Sequence, residues 1–426
     1  MASIQRPQIN QVFTPRRGTV NRDMYIERPE LELALKDALE GCLHIVLYGE
    51  SGGGKSWLYK KVLQDLSAVS TVANCADVAT LGTVGDVLRD LVGRDIPRSK
   101  VAETETKEAE VGIAIAKGGI KHTAEYAPRE VGAVEACFSH LRKKAADAPC
   151  ILVFDNLESI FSSQKLMAEV GNIITLLDDE HYSKFNIKLL LVGVPSDIRY
   201  YYQHAQNQPT IANRLIEIPE VSRLSNEQVS AFVYKGFVEK LKIKMQDDFR
   251  HYLQEHIYFV TAGIPERMHE YCETLARVFR DQNWNVSRVA VLKADKLWMR
   301  THLTQCYTTI DDLVHSKGNM DPGLAQVFYC LGKVPREVFR TNDVETVLRR
   351  EFSKSVQQTS VALLRHLLSK LASAKHQVIK KSTTGSGFFF ADPRFIMCIR
   401  AMFYKNLNDQ SIIELDRRAV QLEFQP

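Results

Sequence analysis

Ile45-Val46-Leu47-Tyr48-Gly49-Glu50-Ser51-Gly52-Gly53-Gly54-Lys55-Ser56-Trp57-Leu58 reads as an apolar strand, a glycine-rich loop and the start of a helix. The loop fits G-x-x-x-x-G-K-[ST] without a gap. A nucleoside triphosphate packs several negative charges into a small volume, so a loop that surrounds them must carry little side-chain bulk. Glycines let backbone N–H groups turn inward. The helix behind adds the positive end of its dipole. In that geometry Lys55 reaches the β- and γ-phosphates and the Ser56 hydroxyl ligates Mg²⁺. Gly49, Glu50, Ser51, Gly52, Gly53, Gly54 and Trp57 complete the expected cradle. A flexible Gly/Ser linker would need neither the apolar strand before the loop nor Lys-Ser after it. The stretch implies an α/β P-loop fold and ATP or GTP as ligand.

Further apolar runs alternate with helical patterns on either side. Arg28–Glu40 predicts a helix, and strands are expected near Thr71–Asn74, Cys150–Asp155, Ile187–Gly193 and Leu215–Ile218. Helices are expected at 83–92, 129–146 and 166–177. Continuous apolar strands between helices mark a parallel sheet covered on both faces. We therefore expect an extended N-terminal arm (1–22) and a P-loop core (23–222). A helical lid (223–310) and a C-terminal winged-helix domain with its tail (320–426) follow. The last assignment rests on three helices and two short strands, Gln377–Lys381 and Gly387–Phe390, around the small-residue turn 382–386. A helix at Arg394–Tyr404 follows. Within the core, residues 111–126 alternate about Gly118-Gly119, which predicts a β-hairpin insertion near 99–130. It is read either as a structural flap or as a contact to a neighbouring subunit, DNA or a partner.

With 426 residues, the chain needs more than one core. Its 45% hydrophobic and 25% charged residues fit a globular protein, and no apolar run reaches membrane-spanning length. The N-terminus lacks the apolar core of a signal peptide, so the cytoplasm is the expected compartment. The eight cysteines form no C-x-x-C pair and read as reduced core residues. The net charge of +4 is uneven: residues 333–405 hold 14 Lys/Arg against 5 Asp/Glu, a local +9, leaving −5 elsewhere. A basic C-terminal region suggests an anionic partner, DNA in particular.

Asp155 closes an apolar strand about a hundred residues after Lys55, where a carboxylate would hold Mg²⁺. Asn156 follows it and Glu158 stands three residues on. Glu158 is read either as the base that polarises water or as a solvated, helix-capping acid. Ser196 and Asp197, after Ile187–Gly193, are read either as γ-phosphate sensors or as part of a simple strand-to-loop turn. Arg214, before the last short strand, is a candidate for stabilising transition-state charge across a subunit interface, or a surface ion pair. Gly263-Ile264-Pro265-Glu266-Arg267 starts a helix with Pro at its first turn, and Arg267, projecting from it, is read either as facing the nucleotide or as part of a structural helix-start turn.

This ordered set resembles AAA+/STAND-type P-loop ATPases, near their origin-recognition initiator, transposition-regulator and NLR-like branches. The similarity runs from Ile26–Glu32 through Gly49–Ser56, Ile151–Asp155, Leu191–Pro195, Asn213-Arg214 and Gly263–Pro265 to the C-terminal segment, roughly residues 22–405. It implies ATP rather than GTP, Arg28 near the adenine, and the Gly263–Pro265 turn in contact with nucleotide. Asn156 departs from the second acid usual there and implies slow hydrolysis. A homo-oligomeric switch that engages DNA through residues 333–405 is the first functional expectation. The alternative is a signalling or antiviral-defence ATPase that recruits a separate effector or sensor protein without DNA. A metabolic kinase leaves the C-terminal region without a role.

Overall fold

The computed structural model describes residues 5–95, 128–193, 198–204, 210–316, 318–352, 361–373, 377–382, 387–406 and 408–415. The hairpin expected within 99–130, Ser196 and Asp197 lie outside them. The chain divides into two compact units. One comprises 18–20 and 27–222; the other comprises 1–17, 21–26 and 223–426.

The first unit is built on a parallel sheet, five-stranded among the described residues. It holds β1 (His44–Tyr48), β2 (Val69–Asn74), β3 (Cys150–Asp155), β4 (Ile187–Gly193) and β5 (Leu215–Glu217), in the order β2-β3-β4-β1-β5. The central strands are apolar at successive positions because both faces are covered. Val46, Leu152, Phe154, Leu189 and Leu191 point to one face. Ile45, Leu47, Ile151, Val153, Leu190 and Val192 point to the other, where they meet Leu35 and Ala38 of helix Pro29–Glu40 and Leu58, Tyr59, Val62 and Leu63 of helix Lys55–Asp65. The expected parallel sheet flanked by helices is the observed one. Three short α-helices escaped the sequence reading, Cys75–Leu81, Glu180–Ser183 and Ile198–His204.

The second unit is largely helical, from Asn226–Val233 to Pro393–Met402, with the antiparallel pairs β6 (Ile379–Lys381) with β7 (Phe388–Phe390) and β8 (Phe403–Lys405) with β9 (Ile412–Glu414). A single apolar core runs through both segments read as lid and as C-terminal domain, from Tyr271 and Trp298 to Phe328, Phe339 and Met402. Residues 1–22, expected as an extended arm, contain the helical turn Ile9–Val12 and bury Val12 and Phe13 in that core. Phe13 occupies the space a side chain at Gly236 would need: a Cβ there would stand 2.6 Å from the ring. The helix expected to reach Tyr404 ends at Met402 instead. Tyr404 lies in β8, where its hydroxyl donates to Asp295 at 2.7 Å; Tyr271 donates to the same fully buried carboxylate at 2.6 Å and His256 lies 3.0 Å from it. A buried carboxylate needs such donors, and Tyr404 supplies one of them from β8.

All eight cysteines are unbonded thiols; seven are buried and Cys42 is exposed. No described helix is long and apolar enough to cross a membrane.

Two buried histidines tie stability to pH. His44 Nδ1 accepts the Leu189 N–H at 3.3 Å, and burial together with nearby Lys188 pushes its pKa down to about 4. His269 Nδ1 accepts the Thr14 N–H at 3.1 Å, and burial pushes its pKa down to about 3. Both imidazoles are neutral in the fold, whereas in the unfolded chain they take up a proton near pH 6.5. Stability is therefore full above pH 6.5 and falls as pH drops toward the folded values, by about 2 kcal/mol per histidine at pH 5. Melting curves from pH 7.5 to 5 should show this loss, and His269→Gln, which does not titrate, should reduce it. A melting temperature independent of pH over that range would contradict the assignment.

Candidate nucleotide site

The loop leaves β1 at Gly49, where φ is +147°, and a Cβ there would lie 2.5 Å from the Val221 carbonyl oxygen. Only glycine allows that approach. The turn continues through Gly52 (φ +78°) to Gly54 (φ +93°), the residue that caps helix Lys55–Asp65. The loop is braced from behind: Arg28 Nη2 donates to the Gly53 carbonyl at 2.9 Å, and Nη1 to the Ser222 carbonyl at 3.1 Å. The sequence resemblance expected Arg28 near an adenine; its guanidinium ties the loop to the segment after β5, a contact no local pattern announces.

Lys55 folds back over the loop, with Nζ donating to the carbonyls of Gly49 at 2.9 Å and Glu50 at 3.0 Å. Burial lowers its pKa, against the pull of Glu158, Asp155 and Glu50. These weak carbonyl partners hold the ammonium where an incoming phosphate can replace them. One residue on, Ser56 Oγ lies 3.2 Å from Asp155 Oδ2, across 99 positions of sequence. The parallel pairing explains the meeting. β4 lies between β1 and β3, and all three strands run the same way, so their carboxyl ends bring Gly49 and Asp155 to one edge. Hydroxyl and carboxylate oxygens so placed are the hard ligands that Mg²⁺ takes, beside the phosphates.

Tyr59, missed in the sequence reading, also donates to Asp155 Oδ2 at 3.0 Å. It follows Lys55 by one helical turn, and that i,i+4 spacing was the available signal. Burial, followed by Asp155, raises its pKa, so the hydroxyl stays a donor. Asp155 Oδ1 accepts the Asn156 N–H at 2.9 Å. Asn156 has φ +59° and ψ +43°, a left-handed conformation that asparagine tolerates better than glutamate. Its amide donates at 3.0 Å to Asn74, the residue paired with Asp155 across β2 and β3. Glu158 lies in the short helix Leu157–Ser159, and its charge pulls the Lys55 pKa up against the lowering by burial.

Arg214 does not join this cluster. The register pairs Leu215 with His44, so Arg214 stands at the opposite edge of the sheet from Gly49, ion-paired with Asp178 and bonded to the Thr210 carbonyl at 2.9 Å. Pro265 and Arg267 belong to the helical unit. There Pro265 opens helix Pro265–Asp281 and Arg267 makes a forked pair with Glu270 at 2.8 and 2.9 Å. Trp57 is half-buried in the first turn after the loop.

Residues 38–201 match the family profile of an AAA domain. The match takes in the loop, Asp155, Asn156 and Glu158, and marks the segment as an AAA-like P-loop domain. No curated protein matches the chain in sequence. Among solved structures, the chain is similar to a Walker-type ATPase of Pyrococcus abyssi, 16% identical, covering 89% of this chain and 97% of that one with a TM-score of 0.49. It is similar to the ORC2 protein of Aeropyrum pernix in its ADPNP–ADP complexes, 12% identical, covering 92% and 96%, TM-score 0.46. It is also similar to the A. pernix ORC1 protein in complex with DNA, 12% identical, covering 92% and 97%, TM-score 0.43.

Proposed function

We propose that this chain is an AAA+/STAND-like switch that binds ATP with Mg²⁺, hydrolyses it slowly, and couples nucleotide state to self-assembly and DNA engagement. The observation that carries the nucleotide reading is the 3.2 Å approach of Ser56 Oγ to Asp155 Oδ2 beside the loop. Lys55 and the loop amides hold the phosphates, Ser56 and Asp155 hold Mg²⁺, and Glu158 orients the attacking water. Asn156 cannot accept a proton, and its amide is engaged with Asn74, which supports slow turnover.

The DNA reading rests on the C-terminal elements. Helices Pro322–Gly332, Thr341–Glu351 and Val361–Leu371 precede the β6–β7 hairpin, and Phe339 adds a bridge to Phe388 on its edge. That order is the basis for reading a winged helix. Much of the local positive charge is engaged internally: Arg349 with Glu345, Arg394 with Asp392, and Lys333, Arg350 and Lys405 with Glu351. Lys380 and Lys381, exposed on β6, and Arg365 carry the outward charge we assign to DNA phosphates. The double variant Lys380→Glu/Lys381→Glu should weaken duplex binding and flatten the plot of log K against log salt by about 2. Anisotropy titrations between 50 and 200 mM salt test this. An unchanged slope, or no binding by the wild type, removes the DNA reading and leaves the nucleotide site standing. The internal pairing just described favours the second reading in that event: a separate effector or sensor protein docks on this region.

A further inference from the structure

Away from the nucleotide loop, the helical unit brings Asp311, His315 and Glu414 together, with one donor atom from each lying within 4.8 Å of the others. His315 follows helix Thr304–Val314, and Glu414 ends β9. The three side chains are largely withdrawn from water, at 20%, 9% and 4% exposure in chain order. The two imidazole nitrogens have different surroundings. Nδ1 lies 3.1 Å from the Asp311 carbonyl oxygen and 3.1 Å from its carboxylate Oδ1. Both are acceptors only, so Nδ1 carries the proton. Nε2 then directs its lone pair at Glu414 Oε2, 3.2 Å away. A lone pair and a carboxylate oxygen at that distance require something positive between them, either a proton or a metal ion.

We propose that this cluster is a divalent metal site for a zinc-class ion. His315 Nε2 and Glu414 are its principal ligands, and Asp311 orients the imidazole through Nδ1–H. Two features favour the ion over a proton. A ligating histidine ordinarily donates its other N–H to a carboxylate or a backbone carbonyl, and here Nδ1 faces both. Two cis ligands at about 2.1 Å from an ion are separated by about 3.0–3.4 Å, which the Nε2–Oε2 spacing matches. Mixed imidazole and carboxylate donors suit Zn²⁺ and its first-row neighbours, whereas Mg²⁺ prefers oxygens alone. Water would fill the remaining positions. The ion would fasten helix Thr304–Val314 to β9, so the site is structural and independent of ATP chemistry.

The test uses the full chain, nucleotide-free, stripped with chelator and dialysed, with Mg²⁺ in excess to occupy oxygen-only sites. Zn²⁺ is followed by equilibrium dialysis and Co²⁺ by its visible absorption. The expected result is one saturable equivalent and a melting temperature raised by Zn²⁺. Affinity should fall at least about a hundredfold in His315→Gln and Glu414→Gln, and about 10–100-fold in Asp311→Asn. Absence of saturable binding by the wild type overturns the proposal, whether or not the variants fold. Binding that persists equally in folded Glu414→Gln and Asp311→Asn, an adventitious ion only, overturns it as well.

Discussion

Replacing Lys55 with alanine is expected to weaken ATP binding at least about a hundredfold, because in the proposed complex the ammonium would make charge-assisted bonds to two phosphates worth about 1.5–3 kcal/mol each. The fold should survive. Among the described residues, Nζ is hydrogen-bonded to the loop carbonyls of Gly49 and Glu50, at 2.9 and 3.0 Å, and the loop itself is held by Arg28 and by the close approach of Gly49 to Val221. Nucleotide-free melting temperature should therefore change little while the stabilisation by ATP disappears. Isothermal titration and thermal shift with ATP measure both quantities. Undiminished ATP affinity in a folded Lys55→Ala protein would sink the site assignment.

Asp155→Asn is expected to leave nucleotide affinity within about tenfold of wild type and to lower Mg²⁺-dependent turnover at least about a hundredfold, since in the proposed site the carboxylate would neutralise and orient the ion beside the phosphates. Asparagine keeps the size of the side chain and can still accept from Ser56 and Tyr59, so packing at the end of β3 should persist. Glu158→Gln separates the metal from the base. A turnover loss with an unchanged Mg²⁺ optimum fits Glu158 as the group that orients water. Wild-type turnover in Glu158→Gln would return that residue to a solvated surface acid. If Asp155→Asn hydrolyses ATP at the wild-type rate with the same Mg²⁺ dependence, the metal assignment fails.

The histidines and the cysteines show how far composition carries. Both His44 and His269 lie in stretches where nothing distinguishes a buried, neutral imidazole from a surface one, because the partner N–H groups belong to Leu189 and Thr14, 145 and 255 positions away. The C-terminal charge shows the same gap. A local excess of nine positive charges reads as an anion-binding surface, yet Lys333 and Lys405 both close on Glu351. Burial would raise that carboxyl, but bonds from Lys405 and Lys333 hold it below its ordinary value. Counting charges along a chain cannot register ion pairs formed across 18 and 54 positions.

What the sequence determined by itself is everything set by local chemistry: the strand–loop–helix around Gly49–Ser56, the apolar strands of a sheet covered on both faces, and Asp155 at a strand end. Those signals lie within one or two turns of chain, where steric limits and side-chain period act directly. Tertiary structure alone decided which distant groups meet. It put Ser56 and Tyr59 on Asp155, Asn156 on Asn74, Arg28 on the loop backbone, and Arg214 at the opposite edge of the sheet, and it set Glu414 against His315. Each of those placements follows from strand order and helix packing. Both arise from the whole chain's burial of apolar surface, so no segment read alone contains them.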